Sequence, residues 1–123
     1  MRYPYLRIPV DADRGFPQAF GVALDGQTYL LSFSVTILDE DLLSAAEPLA
    51  LPQPDAYVVL TVSRPDGDSD RTLLRRKLAP YVEYETDELA FVFTELAVHP
   101  RNVNGTGAFG SRIMGGVAAR WAS

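Results

Sequence analysis

The sequence predicts an all-β domain, a small antiparallel β-sandwich or barrel, followed by a glycine-rich C-terminal arm. Apolar and polar residues alternate with a period of two over most of residues 1–98, which is typical of half-buried strands. Turn-forming residues, Asp25-Gly26 and the stretch 64–70, separate the alternating segments and indicate several short strands. Residues 99–123 lack this alternation and hold five glycines between positions 105 and 116. We therefore predict a β-domain over 1–98 and an extended arm over 99–123.

The size and composition of the chain fit one globular domain. It has 123 residues, of which 47% are hydrophobic and 22% charged, and this is enough for one hydrophobic core. The absence of cysteine excludes a disulfide framework, a thiolate zinc site and a cysteine nucleophile. The amino end has no apolar signal-peptide core, and no apolar run is long enough to span a membrane. We expect a protein made in the cytoplasm without a membrane span.

The first half of the chain predicts a β-hairpin. Alternating apolar residues occupy 6–10, 20–24 and 29–37, and Asp25-Gly26 lies between the last two segments. Asp-Gly is a strong hairpin signal because both turn positions favour positive φ. The return strand separates its apolar residues from its polar ones onto two faces. These are Tyr29, Leu31, Phe33, Val35 and Ile37 on one face, and Ser32, Ser34 and Thr36 on the other.

The stretch 38–56 interrupts the alternation and is predicted to be an inserted loop. One helical turn could begin near Asp39, but the prolines at 48, 52 and 54 would end it quickly. A loop or a short edge strand is the expected result.

The second half predicts further strands, so that five to seven short strands are expected in total. A strand over 57–62 leads to the polar turn sequence RPDGDSD and a further strand, RTLLRRK. Leu89 and Phe93 then share one parity of the alternation, whereas Leu96 and Val98 share the other. This change of parity near Thr94 indicates a β-bulge or a bend.

Two motifs suggest ligand chemistry, and a plainer interpretation is favoured for each. Gly105, Gly107 and Gly110 have the G-x-G-x-x-G spacing, but a dinucleotide site needs a following helix and a later acidic residue. The sequence offers neither, so no cofactor is predicted. Asp66, Asp68 and Asp70 imitate the first ligands of a calcium loop, yet its sixth and twelfth positions hold basic residues. A polar hairpin turn is the favoured interpretation, and no metal site is predicted.

No residue set predicts catalysis. His99 is the only histidine, so a serine-histidine arrangement would have to be built around it. It stands before Pro100, where the domain is predicted to end and an exposed tail to begin. Arg75, Arg76 and Lys77 are predicted to form a solvated strand edge that discourages aggregation. We expect a protein that is not an enzyme.

Charge is unevenly distributed along the chain. Residues 1–95 hold all 16 acidic and eight of the 11 basic residues, so this part carries about −8 and the remainder +3. An acidic body opposes direct contact with nucleic acid. One hypothesis is a solvated tail with incidental arginines, and the other is a tail that docks onto an acidic neighbour. The predicted partner-binding residues are Arg101, Phe109, Arg112, Ile113, Arg120 and Trp121.

Two stretches of the chain resemble a known family. The features of residues 8–35 are Ile8-Pro9, Pro17-Gln18, a strand, Asp25-Gly26 and a strand that carries Tyr29. Together with residues 57–80 they resemble the baseplate plug-like proteins of contractile bacteriophage tails, which are small all-β proteins. Residues 38–55 and the tail from His99 depart from that pattern.

The resemblance implies a structural virion protein of the tail or baseplate, assembled in the host cytoplasm. Its expected partners are other phage structural subunits and copies of itself, with no catalysis. Two alternatives stay open. One is a capsid decoration or head–tail joining protein, and the other is a carbohydrate- or calcium-binding β-module.

Overall fold

The fold is a sandwich of two antiparallel β-sheets, which confirms the predicted all-β class. It is seen in a computed structural model that describes residues 3–103 and 107–120. Short 3-10 helices span Ala12–Arg14, Glu40–Ser44 and Pro100–Asn102. The strands are β1 (Leu6–Arg7), β2 (Gln18–Leu24), β3 (Gln27–Ile37), β4 (Leu49–Ala50), β5 (Ala56–Asp66), β6 (Ser69–Lys77), β7 (Glu83–Glu85), β8 (Leu89–Val98) and β9 (Arg112–Ala119).

The strands divide into a four-stranded and a five-stranded sheet. The four-stranded sheet has the order β2-β3-β5-β6. The five-stranded sheet has the order β1-β9-β8-β4, and β7 pairs with the other part of the same β8 edge. Phe33 of the first sheet meets Phe93 of the second edge to face, with ring centroids 6.1 Å apart. The core therefore lies between the sheets and is built from the apolar parity of each strand.

The predicted hairpin is present with its predicted turn. Leu24 pairs with Gln27, and Asp25 and Gly26 between them have φ values of 49° and 81°. Positive φ at both central positions is the geometry of a type I′ turn, whose twist matches that of the flanking strands. Tyr29, Leu31 and Phe33 are buried on the inner face of β3, as their alternation predicts.

We expect Gly26→Val to destabilise the protein by about 1–3 kcal/mol, because a β-branched residue resists positive φ. Apart from Gly26 itself and its two chain neighbours, no residue has an atom within 4 Å of a Cβ added at Gly26, so the effect isolates backbone strain from packing. The free energy of unfolding in urea measures it, with Gly26→Asn as the matched control, since asparagine tolerates the left-handed region. Equal stability of the two variants would mean that the turn is not held in this geometry.

Residues 38–56 contain the predicted helical turn and the predicted edge strand. Asp39 caps the 3-10 helix by accepting a hydrogen bond from the backbone N–H of Asp41 at 2.9 Å. Strand β4 follows and pairs with the end of β8, where Leu49 lies opposite Val98. Leu49 and Leu51 are buried in the core. This segment therefore closes part of one edge of the five-stranded sheet.

The predicted parity change in β8 is a β-bulge. The register between β8 and β9 shifts between Phe93 and Glu95. Before the shift Phe91 and Phe93 point into the core, and after it Leu96 and Val98 do so. The extra residue at Thr94 restores the inward direction of the apolar side chains.

The prediction of an extended C-terminal arm is wrong for residues 112–119. They form β9, which lies between β1 and β8 inside the five-stranded sheet. Val117 is 1% exposed and Ile113 is 5% exposed, so both belong to the core. Trp121 and Gly105 lie outside the described residues. Among the described residues, no helix has the length and apolar character needed to cross a lipid bilayer.

Two of the glycines permit close packing inside this sheet. A Cβ added at Gly115 would lie 2.3 Å from Cδ1 of Phe93, its partner on β8. A Cβ added at Gly116 would lie 2.8 Å from Cβ of Tyr5 on the opposite face. The Phe93 ring thus covers Gly115 within the core, and Tyr5 covers Gly116 outside it. Gly115 and Gly116 thus belong to a strand and not to a threading arm. Gly110, the last glycine of the G-x-G-x-x-G spacing, is followed by this strand rather than by the helix that a dinucleotide site needs.

Candidate functional site

Among the residues that the structure describes, Arg101 and Phe109 are the predicted partner-binding residues whose side chains lie in contact. The guanidinium carbon of Arg101 lies 5.7 Å from the ring centroid of Phe109, within the range of a cation–π contact. The Phe109 ring in turn lies 5.5 Å from the ring of His99. Arg101 is exposed and Phe109 half-buried. Arg112 is the first residue of β9, and Arg120 follows its last residue. At the usual rise of a strand, the two residues are roughly 26 Å apart.

Ile113 was predicted to contact a partner, and this is wrong in the structure. Its side chain is buried in the core opposite Leu96 of β8. Its neighbour Arg112 is exposed and forms an ion pair with Glu95 at 3.5 Å. Such an exposed pair contributes little stability, so Arg112 stays accessible to solvent and to other molecules.

Arg120 is occupied by contacts within its own domain. Its Nη1 donates a hydrogen bond to the backbone oxygen of Thr86 at 2.7 Å, and its Nη2 lies 3.6 Å from Glu85. Its Nε donates to the hydroxyl of Tyr3 at 3.4 Å, and this bond is the main reason why the pKa of Arg120 is raised. Arg120 therefore ties the end of β9 to the turn between β7 and β8, which differs from the predicted contact with an acidic neighbour.

His99 is buried, whereas the sequence predicted that it stands at an exposed domain boundary. It is 6% exposed, and its Nδ1 accepts a hydrogen bond from the backbone N–H of Arg101 at 3.1 Å. Its Nε2 lies 3.2 Å from the backbone oxygen of Ala46. Because a carbonyl oxygen only accepts, this geometry assigns the ring proton to Nε2. Both ring nitrogens are thus engaged with backbone groups.

A small polar network fixes the segment that follows His99. The Ser111 hydroxyl accepts a hydrogen bond from the backbone N–H of His99 at 2.7 Å and donates one to Asn102. Asn102, which is fully buried, donates from Nδ2 to the backbone oxygen of Gly107 at 2.8 Å. Ser111 contacts the backbone of His99 and not its ring, so the geometry is that of a structural link rather than of a nucleophile and its base. No periodic pattern in the sequence predicts this network.

A second polar cluster joins the two sheets at one end of the sandwich. Glu88, in the turn before β8, accepts hydrogen bonds from Arg64 Nε at 2.9 and 3.0 Å. It also accepts one from the hydroxyl of Tyr29 at 3.1 Å. Tyr29 lies on β3 and Arg64 on β5, so a single carboxylate holds two strands of the opposite sheet. The sequence placed Tyr29 in the core but did not identify the partner of its hydroxyl.

We expect this cluster to make stability depend on pH in the alkaline range. Burial, followed by the hydrogen bond to Glu88, raises the pKa of Tyr29 from 10 to about 12. The folded protein therefore keeps the proton that the unfolded chain loses, and this stabilisation is complete below pH 10 and lost as the pH rises toward 12. The midpoint of urea unfolding of the wild type should fall more steeply over this range than that of Tyr29→Phe.

The matched control for that experiment is Tyr81→Phe, because Tyr81 is exposed and lies outside the cluster. Its pH profile should follow the wild type. Parallel profiles of the wild type and Tyr29→Phe between pH 10 and 12 would contradict the proposed linkage.

Two N-terminal tyrosines cover the outer face of the five-stranded sheet. Tyr5 donates a hydrogen bond to Glu83 of β7, and Tyr3 donates one to Glu85 at 3.3 Å. Burial and the neighbouring Glu83 carboxylate raise the pKa of Tyr5 well above its usual value. Beneath them the sheet has small or buried residues on this face, namely Ala90, Val92, Gly116 and Ala118. This face is therefore already partly occupied by the chain itself.

The acidic turn and the basic edge take the places that the sequence predicts. Asp66 ends β5 and Asp70 lies in β6, with a two-residue turn between the strands, as expected for a polar hairpin. Within residues 3–103 and 107–120, no group of three potential ligands could hold a metal ion. Strand β6 is an edge strand and ends with Arg75, Arg76 and Lys77, as predicted.

Comparisons with protein-family models, with curated proteins and with solved structures found no match for this chain.

Proposed function

We propose that the chain is a structural subunit of a contractile bacteriophage tail, in or near the baseplate, that binds neighbouring subunits and catalyses no reaction. One observation carries this proposal. The two stretches that resemble the baseplate plug-like proteins, residues 8–35 and 57–80, contain β2 and β6, all but the last two residues of β3 and all but the first residue of β5. These are all four strands of one sheet. The resemblance thus follows one complete sheet rather than scattered short motifs.

The departures from the family pattern also follow the architecture. Residues 38–55 supply β4, and the stretch after His99 supplies β9, and both strands belong to the five-stranded sheet. A chain that keeps one sheet and varies two strands of the other retains one surface for a common neighbour while changing the opposite one. This arrangement suits a subunit whose position depends on its surfaces.

The side-chain chemistry of the described residues favours binding over turnover. Both ring nitrogens of His99 are engaged with the backbone, and the aspartates at 66–70 belong to a hairpin rather than to a calcium loop. The outer face of the four-stranded sheet carries uncharged side chains on its two central strands, including Leu30, Ser32, Tyr57 and Thr61. A face of uncharged side chains offers area for a protein contact.

The test is the position of the chain in purified particles of the phage that encodes it. Heads and tails are separated on a density gradient, and each fraction is analysed by quantitative mass spectrometry. We expect the chain in the tail fraction, and particles from a gene deletion should have heads without functional tails. Recovery with heads alone would favour the decoration or head–tail joining alternative. Absence from both fractions would contradict a structural role in the virion.

A further inference from the structure

The free edge of β2 is open to another strand. Leu24 and Gln27, which flank the two-residue turn, form a hydrogen-bonded pair, and every second pair along the hairpin is of the same kind. The backbone groups of the intervening residues Ala19, Gly21 and Ala23 therefore point away from β3. Within the part of the chain that the structure describes, these backbone groups have no hydrogen-bond partner. All three residues are exposed and have at most a methyl side chain. The edge therefore offers unpaired backbone donors and acceptors with little steric obstruction.

The two edges of the four-stranded sheet differ in how they are protected. Strand β6 ends in three consecutive basic residues, which is a common means of preventing contact between sheet edges. Strand β2, QAFGVAL, has no charged residue and no proline. Proteins protect exposed edges of this length unless the edge is paired. The unprotected β2 edge is thus the exception that requires an explanation.

Apolar surface accompanies the unpaired backbone at this edge. Phe20 and Val22 point toward the core but are only partly buried, because β2 is an edge strand among the described residues. Beside the hairpin turn, a cleft of about 280 Å³ is lined by Leu6, Ala23 and Leu24 among others. Leu6 is 59% exposed. An added strand would cover Phe20 and Val22 and extend the core across the edge.

We propose that the β2 edge pairs with the β2 edge of a second copy of this chain, antiparallel about a two-fold axis at Gly21. In this register Gly21 lies opposite Gly21, and Ala19 lies opposite Ala23 of the second copy. All the outward backbone groups are then matched with outward groups. On the inner face Phe20 lies opposite Val22 of the second copy, so both half-buried side chains gain an apolar neighbour.

The self-complementary register selects a second copy as the occupant. Pairing of β2 with β6 of another molecule would leave a free β2 edge at one end and would continue into an open filament. In the two-fold arrangement, the unprotected β2 edges of both molecules are paired with each other. The edges of the combined sheet are then the two basic β6 strands. This arrangement joins two four-stranded sheets into one continuous sheet. This inference concerns the isolated chain and goes beyond the proposed place in a phage tail.

Charge substitutions test the register by sedimentation velocity of the full chain from about 1 µM to 1 mM. Ala19→Lys/Ala23→Lys places like charges opposite each other across the axis and should raise the dimer dissociation constant about tenfold or more. Ala19→Lys/Ala23→Glu places opposite charges there and should bind at least as tightly as the wild type. The matched control on the other edge, Asp70→Lys/Thr72→Lys, should leave the dissociation constant unchanged.

Disulfide crosslinking provides a second measurement that does not depend on charge. The chain has no cysteine, and a Cβ at Gly21 would make only an ordinary contact with Thr28, at 3.5 Å. Oxidised Gly21→Cys should form a disulfide-linked dimer, since paired residues in a sheet lie within the range of Cα distances that a disulfide spans. Thr72→Cys should not.

Three outcomes would overturn the inference. They are a wild type that stays monomeric throughout the concentration range, equal dissociation constants for the two charge variants, and crosslinking of Thr72→Cys as fast as that of Gly21→Cys. None of them bears on the location of the chain in a tail fraction, so the failure of this inference is distinguishable from the failure of the proposed function.

Discussion

A chain that ends at residue 111 is expected not to fold. It lacks β9, the strand that joins β1 to β8 in the five-stranded sheet. The loss removes Ile113 and Val117 from the core and uncovers one side of Phe91 and Phe93. Deleting one buried Ile or Leu side chain costs about 2–5 kcal/mol, and a domain of this size is stable by about 5–15 kcal/mol in total. Circular dichroism and amide NMR should show an unfolded chain.

The matched control for the truncation is a chain that ends at residue 120. It keeps β9 and the contacts of Arg120 with Thr86 and Glu85, so it should be folded by the same two measurements. If the chain that ends at residue 111 is folded and has an unchanged melting temperature, the assignment of β9 is wrong. The prediction of an extended C-terminal arm would then be the better description.

Gly115→Val is expected to destabilise the protein by about 3 kcal/mol or more. The added Cβ would lie 2.3 Å from Cδ1 and 2.6 Å from Cε1 of Phe93, which is fully buried. The ring has little room to move in a close-packed core, so overpacking displaces it at a cost. Urea unfolding measures the change. Gly21→Val is the matched control in an exposed strand position, where the nearest atom lies 3.5 Å from a Cβ.

A double-mutant cycle identifies the cause of that loss. Phe93→Ala alone should cost about 3–5 kcal/mol because it leaves a cavity. In the double variant, the valine side chain occupies part of the space that the ring vacates. The double variant should therefore lose less unfolding free energy than the sum of the losses in the two single variants. Strict additivity of the two free-energy changes would show that Gly115 is required for a reason other than the Phe93 ring.

The features that the sequence predicted well are those coded by neighbouring residues. Asp25-Gly26 specifies its turn through the φ preference of two adjacent positions, and the structure has that turn. The parity change near Thr94 is visible in a single strand, and the bulge is found there. Asp39 and the prolines after it predicted a short helical turn in the same way.

Strand β9 was missed because its signal is not local. Its sequence, RIMGGVAA, shows no alternation of large apolar and polar residues. The missing volume is supplied by other strands, since Phe93 fills the space above Gly115 and Tyr5 the space above Gly116. The small residues of β9 thus pack against large residues that are distant in sequence. Without those partners, the glycines indicated a flexible arm.

The candidate site residues were only partly predictable for the same reason. The sequence identified the arginines of the C-terminal region, but the partners of Arg120 are Thr86 and Glu85, distant in sequence. His99 precedes a proline, which suggested a boundary, whereas Pro100 starts a 3-10 helix that turns the chain back toward β9. The open β2 edge follows from the sheet order, which periodicity does not specify.

Hydrogen exchange of the free chain, followed by amide NMR, tests most directly the claim that the sandwich is closed by its own C-terminal strand. The account predicts slow exchange for the hydrogen-bonded amides of β9 from Ile113 to Ala119, comparable to those of β8. In the same spectra, the amides of Ala19, Gly21 and Ala23 should exchange quickly at low protein concentration and slowly at high concentration. Rapid exchange throughout 113–119 in the free chain, with protected amides in β8, would contradict the account.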